Sequence, residues 1–208
     1  MHATVAAVDA HAEPEIGFPD GLTVDVQAIS DTRWKVLTSF VYQATNDVYT
    51  VPAGEETDFA SVPRPFVWFI PTYGRYTKAA ILHDRLCRLA HEGSFSRRDA
   101  DGVFRQAMRT LNVAFLRRWI MWGAVRWGAL FTPEGRQDWL KDAWIVIPLT
   151  LAVVPIIGPA ALLIVVTLLV WFVAEMLVWP VLAVVRTLKV RRQMRAKRVN
   201  RPRLTFRL

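Results

Sequence analysis

Apolar and polar positions alternate along residues 22–52, which is the pattern of half-buried β-strands. The alternation runs through LTVDVQAI, RWKVLTSFVYQ and DVYTVPAG, and turn-forming pairs stand at Ser30-Asp31 and Asn46-Asp47. The pattern predicts about three short antiparallel strands. The next segment, EETDFASVPRP, has no such period and contains two prolines, so we predict a loop that leaves the sheet and a short helix that begins at Pro65.

The period becomes helical from Arg75 onward. A first apolar stripe ends at Gly93; its members are Tyr76, Ala79, Ala80, Leu82, Leu86, Leu89 and Ala90. Ser96, with Asp99 three residues later, predicts a capped start for a second helix. A third helix, AFLRRWIMWGAVRWGALF, is apolar on most sides, with Arg117, Arg118 and Arg126 on the remainder, and either packs under the sheet or lies against a bilayer. The expected fold class is therefore α+β: a small antiparallel sheet followed by three or more helices.

An apolar segment follows this domain. Residues 143–174 contain no charged residue, and the apolar run resumes after Glu175 and continues to Val185. This length exceeds the roughly 20 residues that cross a bilayer. The segment therefore predicts a membrane-embedded element, with Trp144, Trp171 and Trp179 as anchors at the interfaces.

The layout of the apolar segment has two alternatives. One straight helix over residues 143–185 would be about 64 Å long, twice the thickness of the hydrocarbon core. The sequence PIIGP, from Pro155 to Pro159, predicts a break. We favour a hairpin over a single kinked span, because a hairpin keeps the soluble domain and the tail in the cytoplasm and the N-terminus shows no secretory signal.

Charge divides the chain in two. Residues 1–141 hold 16 basic and 16 acidic residues, whereas residues 142–208 hold 10 and 2, so the whole net charge of +8 lies in the last third. A basic tail beside a membrane segment predicts binding to anionic lipids; nucleic acid is a less favoured partner, because no nucleic-acid module accompanies the tail. The lipid-binding candidates in the tail are Arg186, Lys189, Arg191, Arg192, Arg195, Lys197 and Arg198.

These patterns divide the chain into four segments. Residues 1–20 are predicted to be a flexible leader, 21–135 the α+β domain, 136–185 the membrane hairpin or span, and 186–208 the basic tail. The single cysteine, Cys87, excludes an intramolecular disulfide and a zinc site built on cysteines. In its helical context we interpret it as a buried structural thiol.

The candidate chemistry lies in the loop and the first helix. On a helix, His83 and Asp84 point about 100° apart, with His83 beside the buried stripe and Asp84 nearer its edge. The loop carries polar residues that can face them, so the candidate catalytic residues are Asp58, Ser61, His83 and Asp84. Asp58, His83 and Asp84 are alternatively ligands for a divalent metal. The same residues can instead cap turns and brace the fold, and both interpretations stay open.

The segments VPAGEETDFASVPRPFVWFIPTYGRYTKAAILHDRLCR, SRRDADGVFRQAMRTLNV and RRWIMWGAVRWGA together resemble an uncharacterised family, domain of unknown function 1353, found in phage and prophage genomes and in bacteria. The resemblance covers roughly residues 22–131. It assigns the family's loop, its His-Asp pair and an acid in the next helix to Thr57, Asp58, Ser61, Pro63, His83, Asp84 and Asp101. This chain departs from the family at Cys87, where an aromatic residue is frequent.

The resemblance implies a phage or prophage origin and a shared site without naming a reaction. We therefore expect a membrane-associated accessory protein that acts in assembly, lysis or interaction with the host envelope. Its expected partners are anionic lipids, phage or host envelope proteins, and a second copy through the membrane segment. The alternative is a small hydrolase, metal-dependent or not, that uses Asp58, His83 and Asp84 on a cell-wall substrate.

Overall fold

The computed structural model describes residues 16–60 and 62–190, except the side chains of residues 186–190. Two units are distinguished in it: residues 16–60 with 72–150, and residues 62–71 with 151–190. Most of the predicted leader, Ser61 and the tail from residue 191 lie outside the described residues.

The first unit begins with five short antiparallel strands in two sheets. The strands are β1 (Val26–Ala28), β2 (Trp34–Val36), β3 (Phe40–Gln43), β4 (Val48–Val51) and β5 (Glu56–Thr57). The order β1-β2-β5 forms one sheet and the β3–β4 hairpin forms the other. The segment RWKVLTSFVYQ thus makes two strands rather than one, because the chain changes pairing partner between Val36, opposite Val26, and Phe40, opposite Val51.

Three helices follow in this unit, and they confirm the helical pattern. They are α1 (Thr77–His91), α2 (Arg97–Thr110) and α3 (Phe115–Ala129). Gly93 closes α1 with a positive φ of 77°, and the Ser96 hydroxyl accepts a hydrogen bond from the backbone N–H of Asp99 at 3.3 Å, as the capping pattern predicts. α1 packs on α2 and on β4, and α2 packs on α3. The α+β fold class is confirmed.

The last helix, α4 (Pro133–Val190), runs without a break through PIIGP. The hairpin that we favoured is therefore wrong for the described residues, and the continuous segment is the observed layout. A reversal at residues 155–159 would leave several backbone groups without partners in an apolar environment. That costs more than the one hydrogen bond that each proline removes from a helix.

The first part of α4 belongs to the packed unit. Trp139 and Val146 are buried against Trp122 of α3, and the side chains of Trp119 and Leu130 cover this cluster. Beyond residue 150 the apolar side chains of α4 are mostly exposed. By length and composition, α4 is the one helix among the described residues that qualifies to cross a membrane, and only 6% of its most apolar window is buried.

Candidate functional site

His83 lies in the middle of α1 and faces α2. Its side chain is buried, and its ring packs against Phe104 with the two centroids 4.8 Å apart. The Nε2 atom lies 2.7 Å from Oδ1 of Asp101 on α2. The helical pattern predicted His83 beside the buried face, and the structure confirms this position.

Asp101 is fully buried and is surrounded by cationic groups. Arg97 Nε donates to its Oδ1 at 3.2 Å, and Nη1 of Arg126 donates to its Oδ2 at 2.8 Å. Burial alone would raise the pKa of Asp101, but the hydrogen bond from His83 and the two guanidinium groups outweigh it and lower this pKa. Asp101 is therefore an ionised group that orients the His83 ring.

The protonation of His83 follows from the same contacts. Burial alone would lower the pKa of the imidazole, but its interactions with Cys87 and with the Asp101 carboxylate are stronger and raise this pKa to about 10. An imidazole in this environment is protonated at neutral pH. It can hold a proton at Nε2, but it acts as a base only after that proton leaves.

Cys87 lies one helical turn after His83 on the same face of α1. Its Sγ atom is 3.4 Å from the Nε2 atom of His83, and the side chain is half-buried, whereas we expected a buried thiol. The Nε2, Sγ and carboxylate oxygen atoms of His83, Cys87 and Asp101 all lie within 4.8 Å of one another. We call these three residues the His83 cluster.

Asp84 turns toward the loop that precedes α1. Its Oδ2 accepts a hydrogen bond of 2.6 Å from the hydroxyl of Thr57. The pKa of Asp84 is raised to about 7, first because the carboxyl group is removed from water; the Asp58 charge adds to this increase, whereas Thr57 and His83 oppose it. Asp58 and His83 are thus close enough to Asp84 to affect its charge.

The loop itself is held in a strained conformation. Phe59 has a positive φ of 63°, which is costly for a residue with a Cβ. Its N–H donates to the Thr57 hydroxyl at 2.9 Å, and its ring stacks on Trp34 with centroids 4.6 Å apart. The start of the loop is fixed to α1 by the buried carboxylate of Glu55, which pairs with Arg88 and lies 3.7 Å from Arg85.

In the structure, the predicted site residues form two separate groups of contacts instead of the single cluster expected from the sequence. Asp84 pairs with the loop through Thr57, and His83 pairs with Asp101 and Cys87. Asp58 is half-buried and contributes to the electrostatics of Asp84. Ser61 lies outside the described residues. The catalytic and metal-binding roles assigned to Asp58, Ser61, His83 and Asp84 stay predictions.

Sequence reasoning missed a buried ionic network behind the His83 cluster. Arg126 was assigned to the polar side of α3 but is fully buried, with Nη1 on Asp101 and Nε 3.2 Å from Oδ2 of Asp142. Arg98 contacts both carboxylate oxygens of Asp142. A signal was present: Arg126 follows Arg117 by nine residues, which at about 100° per residue places it on the opposite face of the helix.

The predicted membrane anchors lie on α4. Trp144 and Trp171 are exposed and Trp179 is half-buried, and the Trp171 indole donates to Glu175 at 2.8 Å. The side chains of Arg186 and Lys189, and the whole of the predicted lipid-binding residues Arg191, Arg192, Arg195, Lys197 and Arg198, lie outside the described part of the chain. Their contact with anionic lipids stays a prediction.

Residues 34–125 match a family model described as "Protein of unknown function (DUF1353)". The match includes β2 to β5, α1, α2 and most of α3, and therefore all of the His83 cluster. It confirms the resemblance identified from the sequence, over a segment shorter than residues 22–131. No curated protein and no solved structure matches the chain.

Proposed function

We propose that the protein is a membrane-associated accessory protein of phage or prophage type, in which α4 attaches the α+β domain to a bilayer. The observation that carries the proposal is the apolar surface of α4 after residue 150. Leu151, Val170 and Leu177 are each between 65% and 70% exposed, and they belong to a continuous series of exposed aliphatic side chains. Water-soluble proteins rarely expose apolar surface of this extent.

The composition of this segment supports lipid as the contact. It is apolar on every side, and it has no charged residue between residues 143 and 174. Polar side chains within it satisfy their own hydrogen bonds: Thr167 donates to the carbonyl of Leu163 at 2.9 Å, and Glu175 accepts from Trp171. A helix with its backbone and side-chain polar groups paired in this way is compatible with a hydrocarbon environment.

The test replaces exposed apolar residues of α4 by arginine. The double variant Leu163→Arg/Val170→Arg places two charges in the proposed membrane segment, each of which costs about 2.5–3.5 kcal/mol at the centre of a bilayer. We expect the wild-type chain to resist alkaline extraction from membranes and to float with liposomes, and the variant to be released. The matched control is Phe131→Arg/Leu140→Arg, which changes two exposed apolar residues before the charge-free segment.

Equal release of both double variants, or extraction of the wild-type chain, would contradict membrane attachment through α4. Loss of the folded domain is monitored by near-ultraviolet circular dichroism of each variant. The proposal is supported if the Phe131→Arg/Leu140→Arg variant stays in the membrane like the wild-type chain while the Leu163→Arg/Val170→Arg variant is released.

The prediction that both the domain and the tail are cytoplasmic depended on the hairpin, so the continuity of α4 changes it. With one crossing, only one of them can be cytoplasmic, whereas an arrangement without a crossing leaves both on one side. Protease treatment of inside-out vesicles separates these cases, because cleavage of residues 16–142 and of the tail is read out independently. A single crossing that keeps the basic tail inside leads us to expect cleavage of the tail and protection of the domain. Cleavage of both would refute the crossing without affecting membrane attachment, and protection of the tail would refute the orientation.

Roles in assembly, lysis or contact with the host envelope, and self-association through α4, are part of this proposal. The support for them is the resemblance to phage and prophage proteins and the exposed apolar helix. Chemical cross-linking in native membranes tests the partners: we expect the chain to be linked to itself or to an envelope protein through α4. Absence of both products in membranes that retain the chain would contradict this part.

A small hydrolase is the second candidate, and the contact between His83 and Asp101 is the observation that favours it. A buried carboxylate that orients an imidazole is an arrangement used for acid–base catalysis. Digestion of dye-labelled peptidoglycan by the full chain in lipid nanodiscs tests the cell-wall version. We expect His83→Gln to abolish release of the dye and His91→Gln, at the exposed end of the same helix, to retain it. Release that is equal in both variants would contradict the hydrolase.

A further inference from the structure

Two side chains of the His83 cluster converge on one ring nitrogen. Cys87 Sγ lies 3.4 Å and Asp101 Oδ1 lies 2.7 Å from the same atom, Nε2 of His83. A nucleophilic cysteine relay requires the thiol and the carboxylate on opposite ring nitrogens, so that one receives a proton while the other orients the ring. The observed convergence does not fit such a relay. It places three potential ligand atoms around a common point, and a cation bound there would displace the protons of His83 and Cys87.

We propose that His83, Cys87 and Asp101 form a binding site for a divalent cation of the zinc type. Nε2, Sγ and Oδ1 are the ligand atoms. Imidazole nitrogen, thiolate sulfur and carboxylate oxygen are the three donors that zinc uses in proteins. A thiolate disfavours magnesium or calcium, which take oxygen ligands. Three protein ligands leave a fourth position for water. The site requires neither membrane attachment nor catalysis.

Two of the three donor separations can be compared directly with a tetrahedral site, and the third, between Sγ and the Asp101 carboxylate, lies within 4.8 Å and must be about 3.6 Å when zinc is bound. Tetrahedral zinc with bonds of about 2.0–2.3 Å would place Nε2 and Sγ about 3.6 Å apart, and Nε2 and Oδ1 about 3.4 Å apart. The first separation is already 3.4 Å; the second is 2.7 Å and must open by about 0.7 Å. His83 and Cys87 are four residues apart on α1 and Asp101 is held on α2, so the packed helix pair positions all three donors.

The surrounding charges both support and oppose a cation. Arg126 donates to Oδ2 of Asp101, which leaves Oδ1 for the metal, and a hydrogen bond to the other oxygen of a ligating carboxylate commonly orients it. Arg97 contacts Oδ1 itself at 3.2 Å and therefore competes with a cation. Two ligand charges, from the thiolate and the carboxylate, favour binding. The balance predicts that Arg97→Gln, which removes the competing charge, binds the metal more tightly than the wild-type chain.

Cobalt(II) is the probe that tests the site, because a thiolate ligand gives it a charge-transfer band in the near ultraviolet. Cys87 is the only cysteine of the chain, so any such band must come from this residue. The experiment uses the full chain in lipid nanodiscs, without an affinity tag and after treatment with a chelator. We expect one equivalent of cobalt to produce the band and zinc to displace it.

Variants assign the remaining ligands. His83→Gln and Asp101→Asn are expected to weaken cobalt binding at least tenfold, since even the loss of a hydrogen-bond partner of a metal ligand typically costs about 10–100-fold in affinity. His91→Gln is the matched control, because His91 is exposed on the same helix. Asp58→Asn distinguishes this site from the set Asp58, His83 and Asp84 and is expected to leave the band unchanged. Arg97→Gln is expected to bind cobalt more tightly, and such an increase in affinity cannot be caused by a loss of folding.

Three results would overturn the proposal. The first is a folded wild-type chain that shows no thiolate band with cobalt at micromolar concentration. The second is a band that persists with unchanged affinity in folded His83→Gln or Asp101→Asn. The third is zinc uptake without the band, which would assign binding to other residues, such as His2 and His11 of the leader. Near-ultraviolet circular dichroism identifies the folded variants. The wild-type measurement tests whether Cys87 binds the metal even where a variant fails to fold.

Discussion

Replacement of Arg126 by methionine is expected to destabilise the helices around the His83 cluster by about 3 kcal/mol. Arg126 has no exposed side-chain surface, and its guanidinium group stands between two carboxylates, 2.8 Å from Asp101 Oδ2 and 3.2 Å from Asp142 Oδ2. Methionine fills much of the same volume without a charge. The variant therefore removes the electrostatic contribution and leaves most of the packing.

The magnitude follows from the partners that remain. Removal of one member of a buried ion pair typically costs 3–5 kcal/mol, because the other charge stays buried without compensation. Here Asp101 retains His83 and Arg97, and Asp142 retains Arg98, which contacts both of its oxygens. These contacts place the expected cost at the lower end of the range.

Native-state hydrogen exchange of the full chain in nanodiscs measures this cost, through the most protected amides of α1, α2 and α3. The control is Arg117→Met, an exposed arginine on the same helix, which should change the free energy of opening by less than about 0.5 kcal/mol. Addition of Asp142→Asn to Arg126→Met should cost less than the sum of the two single changes, because the second charge no longer needs compensation. An Arg126→Met variant as stable as the control would refute the network as a source of stability.

Two further predictions concern the loop. Burial raises the pKa of Asp84 from 3.8 to about 7, so between these pH values the folded state keeps a proton that the unfolded state has lost. The free energy of unfolding should therefore rise as pH falls from about 7 to 4, by up to about 1.4 kcal/mol per pH unit. Asp84→Asn should remove this contribution to the pH dependence of stability. Thermal unfolding of both proteins with a chelator present measures the effect, and parallel pH profiles would contradict it. Thr57→Val should lower the free energy of unfolding by about 1–3 kcal/mol, because the N–H of Phe59 and the carboxyl group of Asp84 both lose their hydrogen bond to the hydroxyl. Thr57→Ser keeps the hydroxyl and should lower it much less. Equal losses of thermal stability in the two variants would show that the hydroxyl is not the cause.

Local signals account for what could be predicted of the fold. The stripe from Tyr76 to Ala90, the stop at Gly93 and the cap at Ser96 depend on residues close in sequence, and the structure confirms each of them. The strands were harder to place, because RWKVLTSFVYQ alternates throughout while its two halves pair with different partners. Partner choice is a long-range property that alternation does not contain.

The candidate site shows the same division. His83 and Asp84 were predicted to lie at the edge of the buried face of α1, and they do so. The resemblance assigned Thr57 and Asp101 to the same site without saying which residues touch: His83 contacts Asp101, 18 residues later, and Asp84 contacts Thr57, 27 residues earlier. Adjacent residues on a helix diverge by about 100°, so two neighbouring groups enter two different environments.

Local period and composition were sufficient to predict α1, α2 and α3, the α+β class, the charge asymmetry and the apolar segment. They did not predict that α4 continues through PIIGP, that Arg126 is buried between two aspartates, or that Cys87 lies beside His83 and Asp101. The burial of Arg126 and the grouping of Cys87 with His83 and Asp101 depend on which surfaces pack together, whereas the continuity of α4 depends on keeping its backbone groups paired. The energy of a buried charge or an unpaired backbone group depends on that packing, and no single segment contains it.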